Sequence, residues 1–275
     1  MPELPEVETI VRQIRPGVLG QRIVGFSLRA GGESLVKPYS EEDLKRLLFD
    51  KTIISLSRIG KFIRFQLSDN SAIISHLRMT GRLYLAERID DHKHNRLGLF
   101  LEDAVLNFLD TRRFATFHYL PSKSLYKGLL NLGPDALSDE FNSDYLVKAL
   151  ANRTKSIYAS LMDQSIVAGL GNIYANETLY AARIHPLQPS RGIDETKAKK
   201  IVSHAKRILN EALEFRGTTL IDRTYLDAEG EGGNYFNRLN VYGKSKTLDG
   251  NNPVEKTKIG GRTVYFSPKK QMLGD

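Results

Sequence analysis

Apolar and polar positions divide the chain into a region of short alternations followed by a region of longer periods. Near the N-terminus Val7, Ile10, Val11 and Ile14 recur at helical spacing. Pro5 suits a first-turn position, and Glu3, Glu6 and Glu8 lie where a helix dipole favours acids. A helix is expected there. Period-two alternation then runs through 22–28, 53–56, 62–67, 72–77, 82–86, 97–101, 105–109 and 113–119, with turn clusters such as Ser68-Asp69-Asn70-Ser71 and Glu102-Asp103 between segments. These read as strands of an antiparallel sandwich or barrel, interrupted by one helix over 41–49. From Ser138 the period lengthens, predicting helices over 144–151, 157–162, 172–182 and 194–215. The last carries an unbroken stripe of Ala198, Ile201, Val202, Ala205, Ile208, Leu209 and Ala212. Beyond Gly217 the chain is polar and turn-rich until two strand signals, 254–259 and 263–266, bracket Gly260-Gly261 as a hairpin too small to hold its own core. The fold class is α+β: an N-terminal antiparallel β-sandwich with flanking helices, then a C-terminal helical domain and a terminal hairpin. Domains are expected at 1–130, 131–235 and 236–275, with the first linker in the proline- and glycine-bearing stretch 120–136.

Composition narrows the partners. Lys plus Arg exceed Asp plus Glu to give a net charge of +8 and a pI of about 9.5, so a polyanion is expected, either nucleic acid or an anionic membrane. No stretch approaches the roughly 18 apolar residues of a membrane span, and the N-terminus lacks a signal-peptide layout, which weakens the membrane reading. Cysteine is absent, removing disulfides, thiolate catalysis and any cysteine zinc site together.

Two stretches carry candidate chemistry. In Met1-Pro2-Glu3-Leu4-Pro5-Glu6-Val7-Glu8, removal of Met1 turns Pro2 into a secondary amine, able to attack an aldehyde-like carbon and form a Schiff base. Glu3 is the adjacent acid or base; the alternative is that these acids only cap a helix. Lys61 opens an alternating strand on the parity of Ile63, Phe65 and Leu67, where partial desolvation favours proton transfer, unless it simply snorkels at a sheet edge. The segment 161–175 reads as a helix end, a Gly169-Leu170-Gly171 turn and a new helix start, an arrangement whose free amides bind phosphate.

The string MPELPEVE closely resembles the opening of the formamidopyrimidine-DNA glycosylase (Fpg/Nei) family, whose members excise oxidised bases with an N-terminal proline nucleophile. Nearly the whole chain can be matched to it. The resemblance implies that Pro2 attacks the sugar C1′, Glu3 handles protons, Lys61 within Arg58-Ile59-Gly60-Lys61-Phe62 is catalytic, and Glu6 orients the lesion pocket. Met79, Arg112 and Phe114, of which Met79 and Phe114 alone would read as core, correspond to side chains that fill the space of a flipped nucleotide. His76, His94 and Arg113 become phosphate-contact candidates, although Asn95-Arg96 follows His94 where a second histidine is common. The segment 161–175 resembles the helix-two-turns-helix motif, with Asn172 and Arg153 facing DNA; Tyr158 departs from a frequent lysine. Leu239-Asn240-Val241-Tyr242-Gly243 and Gly260-Gly261-Arg262-Thr263 resemble the lead-in and tip of a zinc finger, with Tyr242 at the DNA and Arg262 on the lesion phosphate. Thr247, Gly250, Ser267 and Lys270 stand in the cysteine places, so the finger is of the zinc-less kind.

The implied function is a bifunctional DNA glycosylase and AP lyase of base excision repair, cutting by β,δ-elimination with no cofactor and no metal. Its partner is double-stranded DNA containing oxidised bases or abasic sites. A monomer inside the cell, in the cytoplasm or at the nucleoid, is expected. The tract 217–235 resembles the purine-lesion branch, favouring 8-oxoguanine and formamidopyrimidines. Competing readings are a damaged-DNA binder with weak catalysis, a glycosylase for oxidised pyrimidines, and an anion binder with no lesion preference.

Overall fold

The computed structural model describes residues 1–220 and 224–273, so the tract 217–235 includes three positions, 221–223, outside the described residues. The chain forms two compact units, Met1–Leu130 with Phe215–Asn234, and Asn131–Glu214 with Tyr235–Asp275.

The first unit opens with helix α1 (Leu4–Val18), whose face Val7, Ile10, Val11, Ile14 and Val18 is buried as the spacing predicts. Strand β1 (Ile23–Leu28) follows, then α2 (Glu33–Val36) and α3 (Glu41–Leu48), the latter started by Ser40, whose hydroxyl accepts from the Asp43 amide. The remaining strands are β2 (Ile53–Ile59), β3 (Phe62–Leu67), β4 (Ala72–His76), β5 (Gly81–Ala86), β6 (Asn95–Leu101), β7 (Val105–Asp110) and β8 (Thr116–Leu120), before a short α4 (Lys127–Leu130). They form two antiparallel sheets, ordered β1-β6-β7-β5 and β2-β3-β4-β8. Phe117 of the second sheet meets Phe26 and Phe108 of the first at ring-centroid distances of 6.3 and 6.2 Å, which joins the layers as a sandwich.

Strand β8 starts later than the alternation suggested. Residues 111–115 form a loop instead, because Arg113 adopts φ 58° and the Asp110 carboxylate takes the Arg112 and Ala115 amides away from any ladder.

Phe215–Asn234 returns to this unit, whereas the sequence periods placed it with the helices. Tyr225 of this segment is buried in the core of the first unit, and long-range hydrogen bonds add to it: Thr218 donates its amide to Glu6 at 2.7 Å, Gln13 donates to Asp227 at 2.8 Å, and Arg82 donates to the Asp227 carbonyl at 2.7 Å.

The second unit holds α5 (Ser143–Leu150), α6 (Ile157–Leu161), α7 (Asn172–Ala182) and α8 (Glu195–Glu214), with a hairpin of β9 (Glu255–Ile259) and β10 (Arg262–Phe266). The apolar stripe of α8 is buried throughout. The hairpin belongs to this unit rather than standing apart as 236–275, because α7 holds it. Glu177 accepts the amides of Asn240, Val241 and Tyr242 at 2.7–2.9 Å, and Asn176 accepts the Tyr265 amide at 2.6 Å. Burial pushes the Glu177 carboxyl up, and those amides oppose the push. At the cysteine-equivalent places, Thr247 exchanges hydrogen bonds with Asn252, and the Ser267 amide donates to buried Gln271, whose own amide reaches the Ile184 carbonyl at 2.9 Å.

Two measurements test whether these hydrogen bonds hold the hairpin without a metal. Exhaustive chelation should leave the melting temperature unchanged, with no stoichiometric zinc on elemental analysis. Gln271→Ala should cost about 1–3 kcal/mol, since it strands a buried amide and a buried carbonyl. A chelator-induced drop in stability contradicts the first expectation, and wild-type stability of Gln271→Ala the second.

Candidate active site and nucleic-acid surface

Glu3 occupies the N-cap of α1 and Glu6 the third helical position, where the Glu6 carboxylate accepts the Glu3 amide at 2.8 Å and closes a capping box. Both are covered, Glu3 at 3% and Glu6 at 2% exposure, and Pro2 is buried too, while Met1 is exposed. The capping box fixes Glu3, the neighbour of Pro2, at the helix start. The second Glu6 oxygen accepts the Thr218 amide at 2.7 Å, which fastens the 215–234 segment to the helix.

Lys61 lies in the β2–β3 turn, 5% exposed, on the buried parity of β3 as expected. Gly60 makes the turn with φ 58°. The turn is clamped to α1 by a pair the sequence reading missed. Arg58 donates to Glu8 at 3.0 Å and to the Gly60 carbonyl at 2.9 Å, and Glu8 also accepts from Arg12. Arg58 reads as an ordinary strand polar position until the fold brings α1 beneath it.

The β3–β4 register pairs Phe62 with His76. Burial, with the charges of Arg78 and Lys61 nearby, pushes the His76 imidazole down to about 3. Its Nδ1 accepts the Arg78 amide at 2.9 Å, leaving the proton on Nε2, so His76 is a neutral donor rather than a cation. His94 follows the same pattern. Arg96 donates to its Nδ1 at 3.1 Å, and burial together with Arg96 lowers its pKa. The unexpected Asn95-Arg96 is internal, with Arg96 2% exposed and donating to the carbonyls of Ala30 and Asp110.

Met79 stands half-buried on the loop between β4 and β5. Arg112, Arg113 and Phe114 stand exposed on the loop between β7 and β8. Phe114 is 54% exposed with the Arg112 guanidinium 5.0 Å over its ring, so it is not a core residue. Beside these loops a cavity of about 580 Å³ is lined by Thr80, Arg82, Tyr84, His94, Thr111 and Leu226.

In the second unit, Gln164 braces the turn between α6 and α7, accepting the Gly169 amide and donating to the carbonyls of Met162 and Leu170. Arg153 is partly occupied by an ion pair with Asp163 at 3.1 Å. Asn172 begins α7, accepting from the Tyr158 hydroxyl at 2.6 Å and donating to Tyr242 and the Thr263 carbonyl at 3.4 and 3.3 Å. Tyr158, the departure from lysine, is thus a buried strut beneath Asn172. Arg262 is exposed at the hairpin tip, beyond Gly260 and Gly261 with φ 56° and 78°. Among the described residues no group of three or more His, Cys, Asp and Glu is arranged to hold a metal, and no helix is long and apolar enough to cross a membrane.

A family model for the formamidopyrimidine-DNA glycosylase N-terminal domain matches residues 1–117, and one for the H2TH domain of the same enzymes matches 132–224. A formamidopyrimidine-DNA glycosylase of Lactobacillus johnsonii is 34% identical over 281 residues, covering 99% of both chains. The chain belongs to the formamidopyrimidine-DNA glycosylase family. Among solved structures, the MutM (Fpg) protein of Thermus thermophilus superposes with a TM-score of 0.86 at 34% identity over 100% of both chains. Lactococcus lactis Fpg, solved with abasic-site DNA, superposes with a TM-score of 0.86 at 32% identity over 98% of this chain and 99% of that one.

The His76 geometry makes a pH prediction. Its folded pKa lies below that of an exposed imidazole, so the unfolded chain binds an extra proton between about pH 6.5 and about pH 3. Stability falls as pH drops through that window and is untouched above it. Wild type should therefore lose more stability than His76→Gln between pH values of about 7 and 4.5, as read by urea midpoints. Equal losses would mean that His76 titrates normally.

Proposed function

We propose that this member of the family is a bifunctional DNA glycosylase and AP lyase that removes oxidised purines and nicks the strand through a Pro2 Schiff base. The observation that carries the reading is the anchoring of the N-terminus: a buried Pro2 and Glu3 on a capped helix, with the Lys61 turn clamped to that same helix through Glu8 and Arg58. Fixing a nucleophile and its proton-transfer partners before substrate arrives removes much of the entropic barrier to their encounter. With Met1 cleaved, the Pro2 nitrogen attacks C1′ and the base leaves with a proton. Glu3 relays protons at the sugar as the ring opens, and Lys61 supports this chemistry beside it. The resulting iminium acidifies the C2′ hydrogens, so β elimination expels the 3′ phosphate, and the conjugated iminium then acidifies the C4′ hydrogen, so δ elimination expels the 5′ phosphate, both without a metal.

In this reading the first unit carries the chemistry and the second supplies the helix-two-turns-helix and the finger. Met79, Arg112 and Phe114 fill the space left by the flipped nucleotide. His76 and His94 donate to phosphates as neutral imidazoles, with Arg113, Arg153, Asn172 and Tyr242 as further contacts. Arg262 holds the lesion phosphate, and Glu6 acts on the lesion indirectly by fixing Thr218. Oxidised purines are favoured by the tract 217–235 and by Lactococcus lactis Fpg, a variant of which was solved with Fapy-dG DNA. The wild-type relative was also solved with oxidised-pyrimidine DNA, so both lesion classes belong in the assay.

Borohydride trapping on an 8-oxoguanine duplex is the direct test. Pro2→Gly, or retention of Met1, should abolish the trapped adduct while duplex binding persists; wild-type trapping with Met1 still attached by mass spectrometry would sink the assignment. Arg262→Ala should slow incision at least tenfold, since a charge-assisted phosphate contact is worth about 1.5–3 kcal/mol. It should also reduce the slope of log affinity against log salt by about 0.9, whereas His76→Gln should leave that slope unchanged because no charge is lost. A matching slope change in both variants would contradict the neutral-donor role of His76.

A further inference from the structure

Met79 and the Arg112–Phe114 pair stand on different loops, and one buried carboxylate holds both. Asp110, the last residue of β7, is 0% exposed and pairs in register with Gly81, the first residue of β5. Its Oδ1 accepts the Thr80 hydroxyl from the Met79 loop and the Arg112 amide, at 3.2 Å, from the Phe114 loop. Its Oδ2 accepts the Ala115 amide at 2.9 Å. Thr80 Oγ1 closes the ring by accepting the Arg112 amide at 3.1 Å. The Asp110 backbone is tied as well, its amide to the His94 carbonyl at 2.9 Å and its carbonyl to Arg96 Nε at 2.7 Å.

Each loop is also conformationally fixed on its own side of this joint. Residues 77–81 make a tight turn with Arg78 at φ 53° and a 2.9 Å bond from the Gly81 amide to the Leu77 carbonyl. A Cβ at Gly81 would come within 2.5 Å of that carbonyl, so the turn is built around glycine at this position. Arg113 holds the other loop at φ 58°. Two loops joined through a shared buried carboxylate cannot move independently without leaving that carboxylate short of donors or stranding amides.

We infer that Asp110, with Thr80, is the positioning element that joins the two loops into one wedge, so that Met79 and the Arg112–Phe114 pair enter the duplex as a unit. The inference rests on the intercalation reading given above. Asp110 is fully buried, and the Thr80 hydroxyl is engaged by it.

The joint is tested with Thr80→Val, which keeps the shape and deletes the hydroxyl, with Thr80→Ser, which restores it, and with Asp110→Asn. A fluorescent base analogue in a lesion duplex reports nucleotide flipping. Cleavage of a single-stranded abasic oligonucleotide reports the Pro2 chemistry where no duplex space has to be filled. Flipping should slow about tenfold in Thr80→Val and Asp110→Asn, the scale of one lost buried hydrogen bond, and recover in Thr80→Ser. Single-strand cleavage should stay within about twofold of wild type, which a general loss of structure could not achieve. Phe114→Ala should slow flipping less in the Thr80→Val background than alone, because the joint has already been broken. Wild-type flipping in Thr80→Val, or strictly additive effects of Thr80→Val and Phe114→Ala, would overturn the inference. The triple variant Met79→Ala, Arg112→Ala, Phe114→Ala separates it from its premise. Normal flipping there removes the intercalation reading itself, whereas slow flipping there with wild-type flipping in Thr80→Val removes only the coupling. If Asp110→Asn does not fold, the Thr80 pair still decides the matter.

Discussion

A carboxylate taken out of water must be met by donors, and in this protein the donors are the backbone amides of the loops that matter. Glu6, Asp110, Glu177 and Asp227 are each 2% exposed or less. Glu6 takes the amides of Glu3 and Thr218, Asp110 those of Arg112 and Ala115, Glu177 those of Asn240, Val241 and Tyr242, and Asp227 those of Glu229 and Glu231. Amide donors stabilise the ionised form against desolvation, and the buried charge in turn penalises any loop conformation that withdraws an amide. Sheet ladders and helix bonds cannot supply this, because they end where the loops begin. The N-terminus, the loops carrying Met79 and Arg112–Phe114, the 215–234 segment and the finger lead-in are therefore all held by the same kind of interaction.

This placement also serves recognition of a polyanion. The acids that shape the loops are covered, while Arg112 and Arg113 are exposed within three residues of a carboxylate that is not. A basic surface can thus be built on acidic internal supports without offering like charges to phosphate. The two histidines fit the same logic. Burial and neighbouring cations hold His76 neutral, with its proton on Nε2, and lower the His94 pKa in the same direction.

The finger illustrates how distributed interactions replace a concentrated one. A structural zinc contributes on the order of 10–16 kcal/mol in isolated fingers, where little else holds the fold. Here the hairpin is docked on α7 through Asn172, Asn176 and Glu177, and its far end is returned to the Ile184 carbonyl by Gln271. Each bond is modest, yet most are made to a helix that is buried along most of its length, so the hairpin inherits the rigidity of its support.

Much of this protein was legible in its sequence. Helical spacing in Val7–Ile14, the alternation around Ile63, Phe65 and Leu67, and the Ala198–Ala212 stripe are local periodicities, and burial follows them because one face of each element must leave water. The opening string, the Gly-x-Gly turn and the absence of cysteine pointed to the family and to a finger without thiolates, since these are properties of residue identity and order. What the tertiary structure decided is which polar residue serves which loop. Nothing local tells Glu6 that Thr218 will be its partner, Arg58 that Glu8 will lie beneath it, or Asp110 that Thr80 will share its oxygen, because each pair is at least 30 residues apart and polar positions carry no period. For the same reason the return of 215–234 to the first unit was invisible to pattern. Hydrophobic burial acts on faces and can be read from spacing, whereas a buried hydrogen bond acts between particular atoms and exists only once the chain has brought them together.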